Sequence, residues 1–210
     1  MGGIGDSYVD LAEFKSYLVG QANASLTGQD GSLGDALLSA SREIDSYCAR
    51  QFNRSETATA REYEPAGRDY CIVDDFYTTT DLVVKLDSGG NGTFATTLTS
   101  SQYELSPANG VVDGMTGWPY YRIRLLDGLT VPCSYGGRSR TLQVTARWGW
   151  EEVPQPVRAA CKIMAAETWK LKDAPFGVLG IDEFGIVRVR QNKLAVSKLA
   201  PYSKTRLLIG

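Results

Sequence analysis

Apolar positions recur along this chain with two different periods, and the change of period divides it. Leu11, Phe14, Tyr17 and Leu18 fall three or four residues apart, which puts them on one face of a helix. Asp10, with Glu13 three residues on, makes a capping-box-like start in which each side chain can satisfy the other residue's orphan N–H. Gln21 to Gly31 is polar with two glycines and reads as a loop. Ser32 with Asp35 then starts a longer helix whose Leu33, Ala36, Leu37, Ala40, Ile44, Tyr47 and Cys48 keep to one stripe.

From about Gln51 to Ala146 the period shortens to alternation. The runs Arg61–Glu64, Tyr70–Val73, Leu82–Leu86, Thr93–Leu98, Gln102–Leu105, Tyr121–Leu125 and Leu142–Trp148 are separated by Ser88-Gly89-Gly90-Asn91-Gly92, Asn109-Gly110 and Gly136-Gly137. This pattern predicts an antiparallel β module inserted between helices. Its many Thr and Tyr residues suit half-exposed strands, and serve a protein-binding face equally well.

After Trp148 and Trp150, the residues Glu151, Glu152 and Pro154 suit a helix N-terminus: carboxylates complement its dipole and proline lacks only a surplus N–H. A third helix is predicted over about Pro154 to Lys172. It carries Val157, Ala160, Cys161, Met164, Thr168 and Leu171 on one stripe, with Ala159, Ile163, Ala166 and Trp169 beside it. So wide an apolar arc predicts burial on more than one side. Pro175, Gly177 and Gly180 end the helix and make the next segment a bend or hinge. Ile186 to Arg190 has an alternating end suited to a strand, and Lys193 to Tyr202 reads as a short helix before Leu207-Leu208-Ile209. These pieces are too short to bury their apolar residues alone, so the arm docks on its own core, a neighbouring copy or a partner.

At 210 residues and 43% hydrophobic content the chain can build a real core. Its net charge of −2 argues against a dedicated nucleic-acid binder or a polybasic membrane protein, but the charge is uneven. Residues 151–210 hold +4 and residues 1–150 hold −6. After Glu183 no acid occurs, while Arg188, Arg190, Lys193, Lys198, Lys204 and Arg206 give the tail +6. No run approaches the roughly 18 apolar residues of a membrane span. Asp6 precedes the first base, Lys15, so no signal-peptide n-region is expected and the chain reads as intracellular when made. Cys48, Cys71, Cys133 and Cys161 are widely spaced, and read as small buried hydrophobes in a reducing compartment.

The absence of histidine removes the usual general base, proton shuttle and metal ligand together. Asp74 and Asp75 are adjacent, so on a strand they point to opposite faces; they, and Asp182 with Glu183 in the glycine-rich bend, read as solvated or turn carboxylates. No phosphate-cradling glycine motif has the required context, and thiols without a histidine partner lack activation. No catalytic, cofactor or metal residue is assigned, and the expectation is that the protein is not an enzyme. The basic tail is the one charged feature with functional promise, read either as a solvated tail or as a segment meeting carboxylates or phosphates on a partner.

Several stretches in order resemble the head-to-tail connector (adaptor, or head-completion) proteins of long-tailed bacteriophages, particularly a subset seen in phages of actinobacteria. They are Tyr8 to Leu18, Leu37 to Phe52, and above all Val144 to Arg190 with its A-R-W-G-W, V-P-Q-P-V-R-A-A and D-A-P-F-G-V segments. Tyr103-Glu104-Leu105-Ser106-Pro107 and Trp118-Pro119 are similar too. The resemblance implies a small helical-bundle subunit; joined to the β module that the alternation predicts, which departs from the smallest members of the family, it gives an α+β chain: a small helical bundle with an inserted antiparallel β module and an extended C-terminal arm. Residues 1–53 would be the N-terminal helices (10–20 and 32–53), 54–146 the β module, 147–180 the third bundle helix and hinge, and 181–210 the docking arm. It further implies a homo-oligomeric ring, typically of twelve copies, in a virion assembled in the host cytoplasm. The ring would sit beneath the portal protein, receive the next connector or tail component, and extend a channel through which double-stranded DNA passes. No membrane contact and no cofactor are implied. Under this reading Val157, Ala160, Cys161, Ile163, Met164 and Trp169 pack subunits. Arg188, Arg190, Lys193, Lys198, Lys204 and Arg206 dock the portal, and Pro175, Gly177 and Gly180 set the arm's direction. The rival reading is a free-standing binding module whose β region recognises protein or carbohydrate.

Overall fold

The computed structural model describes residues 3–19, 26, 28–132, 137–171 and 192–204. Among them, four α-helices and six strands run in the order α1 (Leu11–Val19), α2 (Asp30–Cys48), β1 (Thr59–Tyr63), β2 (Tyr70–Leu86), β3 (Thr96–Thr97), β4 (Tyr103–Ser106), β5 (Tyr120–Leu125), β6 (Leu142–Trp148), α3 (Gln155–Leu171) and α4 (Lys193–Leu199). The fold class is α+β. The chain divides into two compact units, one holding the described residues up to Asn53 and from Val153 onward, the other Arg54–Glu152.

In the helical unit, Asp10 caps α1 by accepting the Glu13 N–H at 2.7 Å. Only half of the expected capping box forms, because the Glu13 carboxylate turns to α3, where it takes Lys162 Nζ at 3.0 Å and a bond from Arg158. An ion pair between helices offers that carboxylate two cations, a stronger demand than one backbone N–H. Helix α2 begins at Asp30, two residues before Ser32, and its apolar stripe from Leu33 to Cys48 is buried apart from half-buried Tyr47. It ends at Cys48 and does not continue to 53, because Ala49 adopts the left-handed conformation at φ 52°. Residues 50–53 then fold back onto the helices, with Phe52 fully buried and its N–H donated to Tyr8 Oη at 3.1 Å. Helix α3 packs on both α2 and α4.

The sheet unit is a six-stranded antiparallel sheet of order β1-β6-β2-β5-β4, with β3 paired to β2. In β6, Leu142, Val144, Ala146 and Trp148 are buried and alternate with half-exposed Gln143, Thr145 and Arg147, so one face of the strand makes core. Two segments separate in the sequence, Tyr70–Val73 and Leu82–Leu86, are the ends of one strand, β2. Its first half pairs β5 and its second half pairs β6 and β3, with register shifts at Ile72/Phe76 and Thr78/Val83. The polar Thr78-Thr79-Thr80-Asp81 that reads as a break is a bulge in which Asp81 has φ 62°. Its carboxylate accepts two N–H bonds from Arg147, at 3.0 and 2.7 Å. Phe76, fully buried and paired to both Tyr120 and Trp148, keeps the chain in the sheet across this irregularity.

Two helix positions carry avoidable backbone cost. A Cβ at Gly34, inside α2, would meet nothing within 4 Å, so Gly34→Ala is expected to stabilise the protein by about 1 kcal/mol. Ala49→Gly relieves the left-handed strain and is expected to add a similar ~1 kcal/mol. Both appear as a raised urea midpoint of the helical signal; an unchanged or lowered midpoint contradicts them.

Candidate functional site

Helix α3 carries the residues expected to pack subunits together, and the structure uses most of them inside the protomer. Val157, Ala160, Cys161 and Met164 are buried, while Ile163 and Trp169 are half-buried. Cys161 Sγ lies 3.5 Å from Ser41 Oγ of α2. Ser41, itself fully buried, accepts the Tyr8 N–H at 3.0 Å and donates to Leu37 O at 2.8 Å. On another side, Glu167 accepts from Asn192, the residue that caps α4. Val157, Ala160, Cys161 and Met164 are thus buried within a unit where α3 packs on α2 and α4, while Ile163 and Trp169 keep partly open faces.

Of the basic arm, Lys193, Lys198 and Lys204 are described; Arg188, Arg190 and Arg206 lie outside the described residues, as do the bend residues Pro175, Gly177 and Gly180. Asn192 accepts the Ala195 N–H at 2.8 Å and starts α4 as an N-cap. Ala195 and Leu199 are buried, and Tyr202 meets Phe52 edge-on at 6.0 Å. This part of the arm docks on its own unit, with Lys193 and Leu194 facing outward. Burial of Ala195, Leu199 and Tyr202 shows that these three residues dock on their own unit.

The candidate chemical groups have structural occupations. Burial pushes the Cys48 and Cys71 thiols up to about 12 and the Cys161 thiol up to about 11, so all three stay protonated and weakly nucleophilic at neutral pH; Cys133 lies outside the described residues. Asp74 is exposed and accepts from Arg61 at 2.6 Å and Tyr63 at 3.0 Å. Asp75 corrects the solvated reading: it is buried, accepts Trp150 Nε1–H at 3.0 Å, and its carbonyl accepts the Gly149 N–H at 2.6 Å. Trp150 in turn has its ring centre 5.0 Å from that of Trp118, so the W-G-W and Trp118-Pro119 segments meet through these two rings. Asp182 and Glu183 lie outside the described residues. Another residue that sequence reading passed over is Asp87, fully buried at the root of the glycine turn. Burial alone would raise its pKa. Backbone N–H groups of Gly92, Asn91, Gly90 and Gly89 outweigh that and lower it. A lone aspartate before a glycine run was the available signal. Among the described residues no three His, Cys, Asp or Glu side chains are grouped to hold a metal ion, and no helix is long and apolar enough to cross a membrane.

This fold has counterparts in solved particles. A chain in the neck of an empty gene transfer agent particle, computed with C6 symmetry, is similar with a TM-score of 0.55 and 18% sequence identity, over 93% of this chain and 89% of that one. A chain in the virion of the native gene transfer agent particle is similar with a TM-score of 0.57 and 17% identity, over 96% of this chain and 92% of that one. No protein-family model and no curated protein matches the sequence. The likeness is one of fold. It spans nearly all of this chain, both helical and sheet regions included.

Two outcomes follow from the buried polar contacts. Asp75→Ala leaves a buried Trp150 N–H without this acceptor and is expected to cost about 1–3 kcal/mol, with a change in near-ultraviolet circular dichroism as Trp150 loses its fixed setting. For Glu13, burial works to raise the pKa, but the bonds from Lys162 and Arg158 outweigh it and the net shift is downward. Its contribution is complete above the ordinary value of 4.5 and is lost as pH falls through the depressed folded value. Glu13→Gln should therefore lower stability at pH 7 by about 1 kcal/mol and flatten the acid limb below that pH. An acid limb as steep as wild type contradicts this.

Proposed function

We propose that this protein is a structural component of a phage-like virion neck: a ring-forming adaptor between the capsid portal and the tail or next connector, extending the DNA channel. The observation that carries the reading is the likeness in fold, over 93% of the chain, to a chain from the neck of a gene transfer agent particle. The sequence resemblance to head-to-tail connectors points the same way from different information. A ring of twelve copies is compatible with the C6 symmetry applied to that neck, since twelvefold rotation contains sixfold rotation. The near-neutral chain, net −2, suits a channel wall along which DNA must slide, because phosphate binding grows with each lysine or arginine engaged.

In this reading the tail beyond the Pro175, Gly177 and Gly180 bend meets the portal through Arg188, Arg190 and Arg206, with Lys193, Lys198 and Lys204 close to that surface. Deleting the whole tail is a poor test, because Ala195, Leu199 and Tyr202 belong to the core of the helical unit. Charge reversal at Arg188, Arg190 and Arg206 replaces none of those three core residues.

The test is native mass and negative-stain imaging of the full chain, with and without its portal protein. Rings are expected, and the triple reversal should release them from portal at least tenfold more readily. A monomer under both conditions overturns the ring reading, and undiminished attachment of the reversed variant overturns the role given to the arginines. Duplex DNA is expected to bind only weakly and to dissociate with added salt.

A further inference from the structure

We infer that the outward faces of α2 and α4 are the two halves of one head-to-tail contact, each docking on a neighbouring copy of this chain. This rests on the ring reading above and names the surfaces that would make the ring. It assigns Lys193 and Lys198 to a neighbouring subunit and leaves the portal to the arginines of the tail.

On α2, the stripe Leu33, Ala36, Leu37, Ala40, Ile44 and Cys48 faces the core of its own unit. The other side presents Asp35, Leu38 and Ser39 to solvent, with Leu38 44% exposed. Gly34 sits beside them with open space where a side chain would be. A glycine inside a helix costs about 1 kcal/mol relative to alanine, and no described residue takes up the room it leaves. On α4, Ala195 and Leu199 face inward while Lys193, Leu194 and Ser197 face outward, with Leu194 57% exposed.

Each surface thus has an exposed leucine beside charge, and the charges are opposite. Asp35, Lys193 and Lys198 form no side-chain ion pair or hydrogen bond with any described residue. Neighbouring charges are used internally: Lys15 with Asp30 at 2.5 Å, and Lys162 and Arg158 with Glu13. The chain therefore holds an unspent acid beside Leu38 and unspent bases beside Leu194, and a second copy supplies the complement of each. The two surfaces are different ones, because α3 meets α2 through Cys161 and holds α4's cap through Glu167, about a third of a turn around the helix. Contact between unlike surfaces propagates from copy to copy and closes into a ring when the rotation allows.

The test compares wild type, Asp35→Lys, Lys193→Glu with Lys198→Glu, and all three together, as full chains with far-ultraviolet circular dichroism matching wild type. Mass photometry at fixed concentration reads the ring fraction. Either reversal alone is expected to lower that fraction at least tenfold, and the combination to restore it, since the pairing is then re-formed with exchanged signs. Asp35→Asn should shift it in the same direction by less. Wild-type rings that the reversals leave unchanged, or a combination that fails to restore them, overturn this surface while the ring reading stands. Variants that lose thermal stability with no change in mass would show that the faces are covered within the chain, which also overturns it. A wild-type chain that stays monomeric alone and with its portal removes the ring reading and this contact together.

Discussion

The sheet unit is held closed where it begins and ends. Ser55 N–H donates to Trp148 O at 2.8 Å and Trp148 N–H donates to Ser55 Oγ at 2.7 Å, joining residues 93 positions apart. Trp148 Nε1–H reaches the Thr59 carbonyl at 2.9 Å, and the Arg61 guanidinium stands 4.5 Å from the Trp148 ring centre. First and last strands, β1 and β6, are neighbours in register from Thr59 with Ala146 to Tyr63 with Leu142. An insertion whose two ends lie side by side leaves its host undisturbed. That is what permits the helices before residue 54 and after residue 152 to form one unit, with Cys161 of α3 against Ser41 of α2 across 120 positions.

Within the helical unit, small residues and shared polar groups do the joining. Ser41 serves the chain before α1, its own helix and α3 at once. Tyr8 donates to Asp45 and accepts from Phe52, so the segments flanking α1 and α2 meet at one hydroxyl. Burial, and then the Asp45 charge, push the Tyr8 phenol well above its usual range, which keeps it a donor at any physiological pH. With these groups so occupied inside the unit, they are not available to other molecules. The ring proposal accordingly turns from α3, with its wide apolar arc, to the outer sides of α2 and α4.

The periodicities of the sequence placed the helices and the alternating region, and burial follows them closely from Leu33 to Cys48 and from Leu142 to Trp148. Boundaries were less legible. Ala49 in the left-handed conformation carries no glycine to announce it, and the bulge at Asp81 looks like a turn because its residues are polar. Asp75 was misread as solvated since its partner, Trp150, is remote in sequence and close only once β2 and β6 pair. The same distance hid the Glu13 link to Lys162 and Arg158.

The sequence by itself determined which residues seek burial, where helix gives way to strand, and how charge is distributed, because these depend on neighbours within a few positions. It also bounded the chemistry, with no histidine and with cysteines far apart. Only tertiary structure decided which apolar surfaces face inward. Val157, Cys161 and Met164 are apolar by pattern and are buried where α3 packs on α2 and α4, while Leu38 and Leu194 are apolar by pattern and nothing described covers them. The physical reason is that burial is a property of what arrives from elsewhere in the chain, and a local pattern records the demand for a partner without saying which one meets it.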